Sequence, residues 1–340
     1  MILHFSIGPV QGFIDQSRRT RDLWASSFLL SWLSAVAMKA VVAECEKHGG
    51  EFSSRSSKAS LFKFPAVEDD PIFRQVVLGE VLGHPEDKYL PTLPNAFKAV
   101  VPDLFNPEVI ESAVQKAWAK LADHVWGMLF SAKSSDIPNF PVPDQIEKTR
   151  TIWERQIGRR DGRAPYWECR WVMGEDPKDG SDLDWLDRRK AMRSPAYRPA
   201  ENGDLCTMMA GWQEISGWSR YPSGPKRHQI DFWSMLRARV ASMRYPDAAR
   251  RHSDESLSSL DIGDQDRLCA IGIVKRLFSL LDTMELERIF GWVPEEWTTA
   301  RKRGQRDVRY WPRQAIWRLF DGWSVLMQYH LYQHAPTKIS

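Results

Sequence analysis

Residues 7–43 read IGPVQGFIDQSRRTRDLWASSFLLSWLSAVAMKAVVA, and how this stretch divides decides the fold of the chain. The apolar opening LHFSI runs into Gly8 and Pro9, a pair that ends a strand and turns the backbone. A helical pattern follows at once. Phe13 and Ile14 start an apolar stripe, Arg18, Arg19 and Arg21 face away from it, and Asp22 reads as the N-cap of a longer helix. Ser27, Ser31 and Ser34 fall at helical spacing on one side, where small side chains let another backbone approach. The pattern therefore predicts a strand, a tight turn, an arginine-bearing helix end and a long packed helix in one unit.

Outward from that unit, strand and helix alternate. The long helix is expected to run to about Glu46, where His48, Gly49 and Gly50 break it. ASLFKF, ending at Pro65, is the second strand candidate, and AFKAVV, behind Pro94 and Asn95, is the third. Asn106 at an N-cap and Pro107 at a first helical position then open a helix with Ile110, Val114, Ala117, Leu121 and Val125 on one face. Another helix is expected from Gln145 to Gln156. From Tyr166, YWECRWVM sets Trp167, Cys169, Trp171 and Met173 against Tyr166, Glu168, Arg170 and Val172, the alternation of a strand with one buried face. Strand, helix, strand, strand, helix, strand is the split βαββαβ order of a ferredoxin-like domain, so the fold class reads as α+β.

The remainder is less regular. Charges, prolines and tryptophans mix from Asp176 to Asp261, with a helix expected around Phe232 to Met243. From Asp264 the pattern turns helical: Leu268, Ile271, Val274, Leu277, Phe278 and Leu281 make an apolar face, with Lys275 and Arg276 pointing off it. A last helix is expected from about Arg313 to Tyr332. The predicted organisation is a ferredoxin-like palm-type domain over 1–175, an irregular region over 176–263 and a helical C-terminal region over 264–340.

At 340 residues and 43% apolar content the chain can bury substantial cores, and a net charge of +3 does not demand an anionic partner. The distribution of charge says more. Arg301, Lys302, Arg303, Arg306, Arg309, Arg313 and Arg318 stand against the single acid Asp307, a run suited to a solvated face or to phosphate. Cys45, Cys169, Cys206 and Cys269 are widely scattered with no recognisable secretory leader, which favours a reduced cytoplasmic setting over a disulfide framework. SRRTRDL before an apolar stretch imitates a twin-arginine export signal or a membrane anchor. Its serines, Lys39 and the preceding strand-like segment argue against a membrane.

GPVQ, then FI, then RRTRDLW and the serine- and leucine-rich helix resemble the opening of the large subunit of type III CRISPR effector complexes, in the Cmr branch. Gly8, Pro9, Gln11, Arg21, Asp22 and Trp24 carry the motif. The resemblance implies a palm-like first domain, a zinc module, a second palm with a GGDD metal motif, a helical end and often an HD nuclease domain. LCTMMAGWQE around Cys206 and DRLCAIGIVKRLF around Cys269 stand where the zinc module has its cysteine pairs, but Met209 and Gly272 occupy the second positions, so these read as a degenerate remnant with no metal.

Gly49 and Gly50 are followed by Glu51 and Phe52, Asp69 and Asp70 have no glycine pair before them, and none of the eight histidines precedes an aspartate. Neither GGDD nor HD is present, and no phosphate-cradling loop, HExxH or GxSxG appears. The expectation is therefore a non-catalytic, reduced large subunit without a cofactor, docked at the foot of a guide-RNA filament. Its partners would be guide CRISPR RNA, target RNA and other effector subunits, above all the one gripping the guide 5′ end. The residues expected to face RNA are Arg18, Arg19, Arg21, Arg159, Arg160, Arg301, Arg303, Arg306, Arg309 and Arg313, since the planar guanidinium fork suits phosphates. Internal ion pairs are the competing reading for Arg18 and Arg21. The alternative function is half of a split cyclic-oligoadenylate synthetase, binding ATP with a GGDD palm supplied in trans.

Overall fold

The computed structural model describes residues 1–50, 52–80, 92–130, 143–158, 166–175, 201–219, 228–244 and 261–290. The opening stretch divides as its pattern predicts. β1 (Ile2–Gly8) is followed by a single helical turn, α1 (Gln11–Ile14), and then by α2 (Thr20–Lys47). α2 ends because Gly49 adopts φ 85°, a left-handed conformation that only glycine takes without strain. Short helices α3 (Arg55–Ala59) and α4 (Pro71–Val76) flank β2 (Phe62–Phe64). They add two elements to the sequence-derived order. α4 starts on a strong local signal, with the Asp70 carboxylate accepting the Phe73 N–H at 2.8 Å and Pro71 at the first helical position.

β3 (Ala96–Val100) leads to α5 (Glu108–Phe130), where Asn106 Oδ1 accepts the Glu108 N–H at 3.1 Å. α6 (Pro143–Ile157) and β4 (Glu168–Gly174) follow, then α7 (His228–Arg244), α8 (Ala270–Leu277), a 3-10 turn at Phe278–Leu280, and α9 (Thr283–Phe290). The helix expected from about Arg313 to Tyr332 lies outside the described residues.

Four strands form one sheet in the order β2-β3-β1-β4, antiparallel at every pairing. Leu3, Phe5 and Ile7 of β1 and Phe97 and Ala99 of β3 alternate inward and are buried. The registered pair Phe5 and Phe97 brings its ring centroids to 4.9 Å. β4 departs from expectation. It pairs with β1 alone, at the margin of the sheet, so Cys169, Trp171 and Met173 reach only the rim of the core and stay half-buried. The residues just before it, Tyr166 and Trp167, are the ones fully inside.

α2 packs against α5, and α8 lies against α2, α5 and α6. Of the serines on α2, Ser31 meets a backbone as expected, donating its hydroxyl to the Leu93 carbonyl at 2.9 Å. α2 is long and apolar enough to cross a membrane, yet 78% of its apolar window is buried inside the fold. One hydrophobic cluster runs from Leu3 to Phe290. At its centre Phe13 meets Trp167 edge-on at 4.8 Å and touches Trp118 and Tyr166.

Truncating Phe13 to alanine would open a cavity between the sheet and two helices, and a fully buried Phe→Ala change costs about 3–5 kcal/mol. The F13A urea midpoint should fall accordingly. A loss below about 1 kcal/mol, less than a single buried methylene or two, would mean that this aromatic cluster is not packed as described.

Candidate functional site

The motif turn between β1 and α2 is held from beneath by α8. Every residue of Ala270–Leu277 is buried, including Lys275 and Arg276. These two do point off the apolar face, but into a second buried set rather than into solvent. Lys275 Nζ donates to the Phe13 carbonyl at 2.6 Å, the Gln16 carbonyl at 2.9 Å and Ser17 Oγ at 2.8 Å, and it stands 5.0 Å from the Phe13 ring centre. Burial pushes its pKa down to about 8, opposed by the Asp22 charge. The lysine thus substitutes for a run of backbone bonds that a short irregular turn cannot make for itself.

Arg276 grips α2. Its Nε donates to Asp22 Oδ1 at 3.0 Å and its Nη2 to Asp22 Oδ2 at 2.6 Å, while Nη1 reaches Asp266 Oδ2 at 2.6 Å. Both side chains of the Arg276–Asp22 pair are 0% exposed. Burial would raise the Asp22 carboxyl, but hydrogen bonding and charge from Arg276 outweigh it and hold the pKa below the ordinary carboxylate value. Asp22 is therefore not the N-cap of α2. Arg19 occupies that position with no side-chain cap, and Asp22, two residues inside the helix start, answers the guanidinium and accepts the Arg18 N–H at 3.3 Å.

The three arginines of the turn divide. Arg21 bonds the Asp261 carboxylate through Nη1 and the Asp261 carbonyl through Nη2 at 2.8 Å, and Arg19 Nη2 lies 3.6 Å from Asp266. Arg18 is exposed. Among the other motif residues, Trp24 is buried and stacks on Phe28 at 5.1 Å, while Gln11 is exposed. Arg159, Arg160, Arg301, Arg303, Arg306, Arg309 and Arg313 lie outside the described residues. Sequence reasoning missed Lys275, Arg276, Asp261 and Asp266 as partners of this turn. The available signal was a Lys-Arg pair inside the otherwise apolar IGIVKRLF, which requires buried acceptors and carboxylates from elsewhere.

A second built feature joins the turn 204–214 to α8. Leu205 bridges Gln213, Cys206 N–H reaches the Trp212 carbonyl at 2.6 Å, and Thr207 N–H reaches the Arg267 carbonyl at 2.7 Å. Cys206 Sγ accepts N–H groups from Met209 and Cys269 at 3.2 Å and from Met208 at 3.4 Å; Cys269 Sγ, capping α8, accepts the Gly272 N–H at 3.4 Å. A Cβ placed on Gly272 would stand 3.5 Å from Cys269 Sγ and 3.9 Å from Cys206 Sγ. The backbone thus gathers two cysteine sulfurs from distant segments into one cradle. Tetrahedral zinc needs four thiolate or imidazole ligands, and among the described residues no three His, Cys, Asp or Glu side chains converge to hold a metal ion. The set does not fit zinc.

Residues 2–123 match the family model described as CRISPR-associated protein Cmr2, N-terminal. The amino-terminal region is thus similar to that family. The Cmr subunit Cmr2 of Pyrococcus furiosus is 36% identical over 115 residues, which are 34% of this chain and 12% of that protein. Two solved structures are also similar: the type III-B Cmr-beta complex in its apo state, at TM-score 0.49 and 15% identity, and the same complex bound to cognate target RNA, at 0.42 and 14%. Each likeness covers 85% of this chain and 34% of the matched chain, so the chain spans about a third of those relatives' length. The matched region includes the whole motif turn with α2, while the Lys275–Arg276 pair that anchors it comes from outside the matched residues.

Asp22→Asn leaves a buried guanidinium short of its counter-charge, and breaking a buried pair from one side costs about 3–5 kcal/mol. Because the folded-state pKa of Asp22 is depressed, its stabilisation is complete above the ordinary value of 3.8 and is lost as pH falls through the lower folded value. Urea midpoints from pH 6 to pH 2 should therefore fall more steeply for the wild type than for D22N below about pH 4. Parallel curves would sink this account of the turn. Elemental analysis of the purified chain should give substoichiometric zinc, and a full equivalent would show that the sulfur cradle recruits further ligands.

Proposed function

We propose that this chain is a non-catalytic, large-subunit-type component of a type III RNA-guided effector complex, docked at the foot of the complex beside the subunit that grips the guide 5′ end. The Cmr2-type match over residues 2–123 carries the reading. It is supported by what the motif residues do: Pro9 ends β1, Asp22 binds Arg276 and Trp24 packs on Phe28, so the shared residues build one rigid turn. The sheet order supports a ferredoxin-like palm, since β3 lies between β1 and β2 while β1 lies between β3 and β4. We retain the division into a palm-type domain over 1–175, a region with a degenerate zinc remnant over 176–263 and a helical part over 264–340. Guide CRISPR RNA, target RNA and the other effector subunits are the partners, in the cytoplasm.

The chain's own contribution to RNA contact would come from exposed arginine. Arg18 is available at the tip of the motif turn, whereas Arg19 and Arg21 serve the turn itself through Asp266 and Asp261. Arg159, Arg160, Arg301, Arg303, Arg306, Arg309 and Arg313 complete the proposed contacts, and binding through them would be salt-dependent by release of counterions. Enzymatic output, if the assembled complex has any, then belongs to a palm supplied in trans.

Purification of the tagged chain from cells expressing its neighbouring genes should bring down short RNA of uniform length together with other subunits. Recovery of the chain free of both would overturn the proposal. In the assembled complex, reversing Arg301, Arg303 and Arg306 to glutamate should lower the slope of log affinity against log salt by about 2, as expected for three lost phosphate contacts on single-stranded RNA. An unchanged slope would remove that segment from the RNA interface.

A further inference from the structure

Among the described residues the sulfur cradle holds no complete metal site, but it brings two thiols from distant segments together. Cys206 and Cys269 are separated by 63 residues in sequence, yet the Cys269 N–H lies 3.2 Å from Cys206 Sγ, and one point, a Cβ built on Gly272, stands 3.5 Å from Cys269 Sγ and 3.9 Å from Cys206 Sγ. Burial pushes the Cys206 thiol up. The Cys269 thiol and the backbone N–H groups of Met209, Cys269 and Met208 outweigh it and bring its pKa to about 7, while Cys269, wholly buried beside it, is held well above the ordinary value. Lys275 and Arg276 add positive charge close by, and Arg276 Nη2 stands 3.2 Å from Met208 Sδ. Cys45 and Cys169 differ: burial and neighbouring glutamates push them up to about 11 and about 12. Cys206 is itself buried at 6% exposure, but Leu205 before it and Ala210 and Gly211 later in the same turn are exposed.

We propose that Cys206 and Cys269 are a modification site: a metal-free dithiol that a peroxide converts to an intramolecular disulfide, tying the 204–214 turn to the N-cap of α8. The Cys206 thiolate attacks one peroxide oxygen, the O–O bond breaks, hydroxide leaves and Cys206 becomes a sulfenic acid. The Cys269 sulfur then attacks the Cys206 sulfur. The S–O bond breaks, and the departing hydroxide takes the Cys269 proton as water. The two sulfurs lose two electrons, which reduce one peroxide to two waters. The disulfide places a covalent link at the start of the helix that carries Lys275 and Arg276, and it restrains the unfolded chain across a long loop. The motif turn would thereby be held more firmly under oxidising conditions. None of this depends on RNA contact or on assembly.

The test uses the full chain, washed with chelator and treated with a small excess of hydrogen peroxide. Thiols titratable after denaturation should fall from four to two, and peptide mass spectrometry should find Cys206 joined to Cys269. The melting temperature should rise, and a dithiol reductant should reverse all three changes. In Cys269→Ser the second step is blocked, so dimedone should trap a sulfenic acid at Cys206 and the melting temperature should not rise. Persistence of four thiols, over-oxidation of Cys206 beside a free Cys269, or a crosslink between other cysteines would each overturn the proposal. The thiol count and the crosslink are read on the unaltered chain, so they decide the matter even if the variant fails to fold.

Discussion

The buried pair between Asp22 and Arg276 is the contact on which the arrangement of this protein depends. It joins the first turn of the longest helix to a helix more than 250 positions later, and both partners have given up all their water. Removing two charges from solvent costs several kcal/mol each, a cost offset only when the geometry is close and every remaining donor is used. Here the guanidinium is bidentate on Asp22 and bonded to Asp266, and the neighbouring Lys275 has three oxygen acceptors. Such a network is exacting. It tolerates one register of α8 against the motif turn and no other, so it specifies the docking more than it strengthens it.

That constraint explains how an irregular turn can serve as a rigid surface feature. Residues 15–19 between α1 and α2 have few backbone bonds of their own, and a buried ammonium collects the carbonyls that such a turn leaves open. With Arg21 fixed on Asp261 and Arg19 near Asp266, Arg18 remains at the tip, presented on a backbone that is held from below.

The sulfur cradle joins two segments that are far apart in the sequence. Backbone N–H groups converge on Cys206 and Cys269, and the Met208 side chain fills the space beside Gly272, its Cε 2.8 Å from where a Cβ would stand. The two segments are joined by hydrogen bonding to sulfur together with the pairing of Thr207 and Ile215 with Arg267 and Leu268. The cradle abuts the ion-pair network through Met208, so the two features form one buried seam along α8.

The sequence alone determined the elements whose signals are local. Gly8-Pro9 ends β1, Asn106-Pro107 opens α5, Gly49 stops α2, and short apolar runs bounded by turn residues assigned the strands and their order along the chain. Each of these rests on backbone preferences or on a period readable within a dozen residues. It also exposed the altered cysteine pairs, because ligand spacing is a linear property. Tertiary structure alone decided which charges are spent inside the fold. Asp22 looked like a cap and proved to be the counter-ion of Arg276; Lys275 and Arg276 looked solvent-facing and are buried; Tyr166 and Trp167, not the strand that follows them, fill the core. Those assignments depend on which distant segments meet, and the energy of a charge is set by the partner and the solvent it finds there.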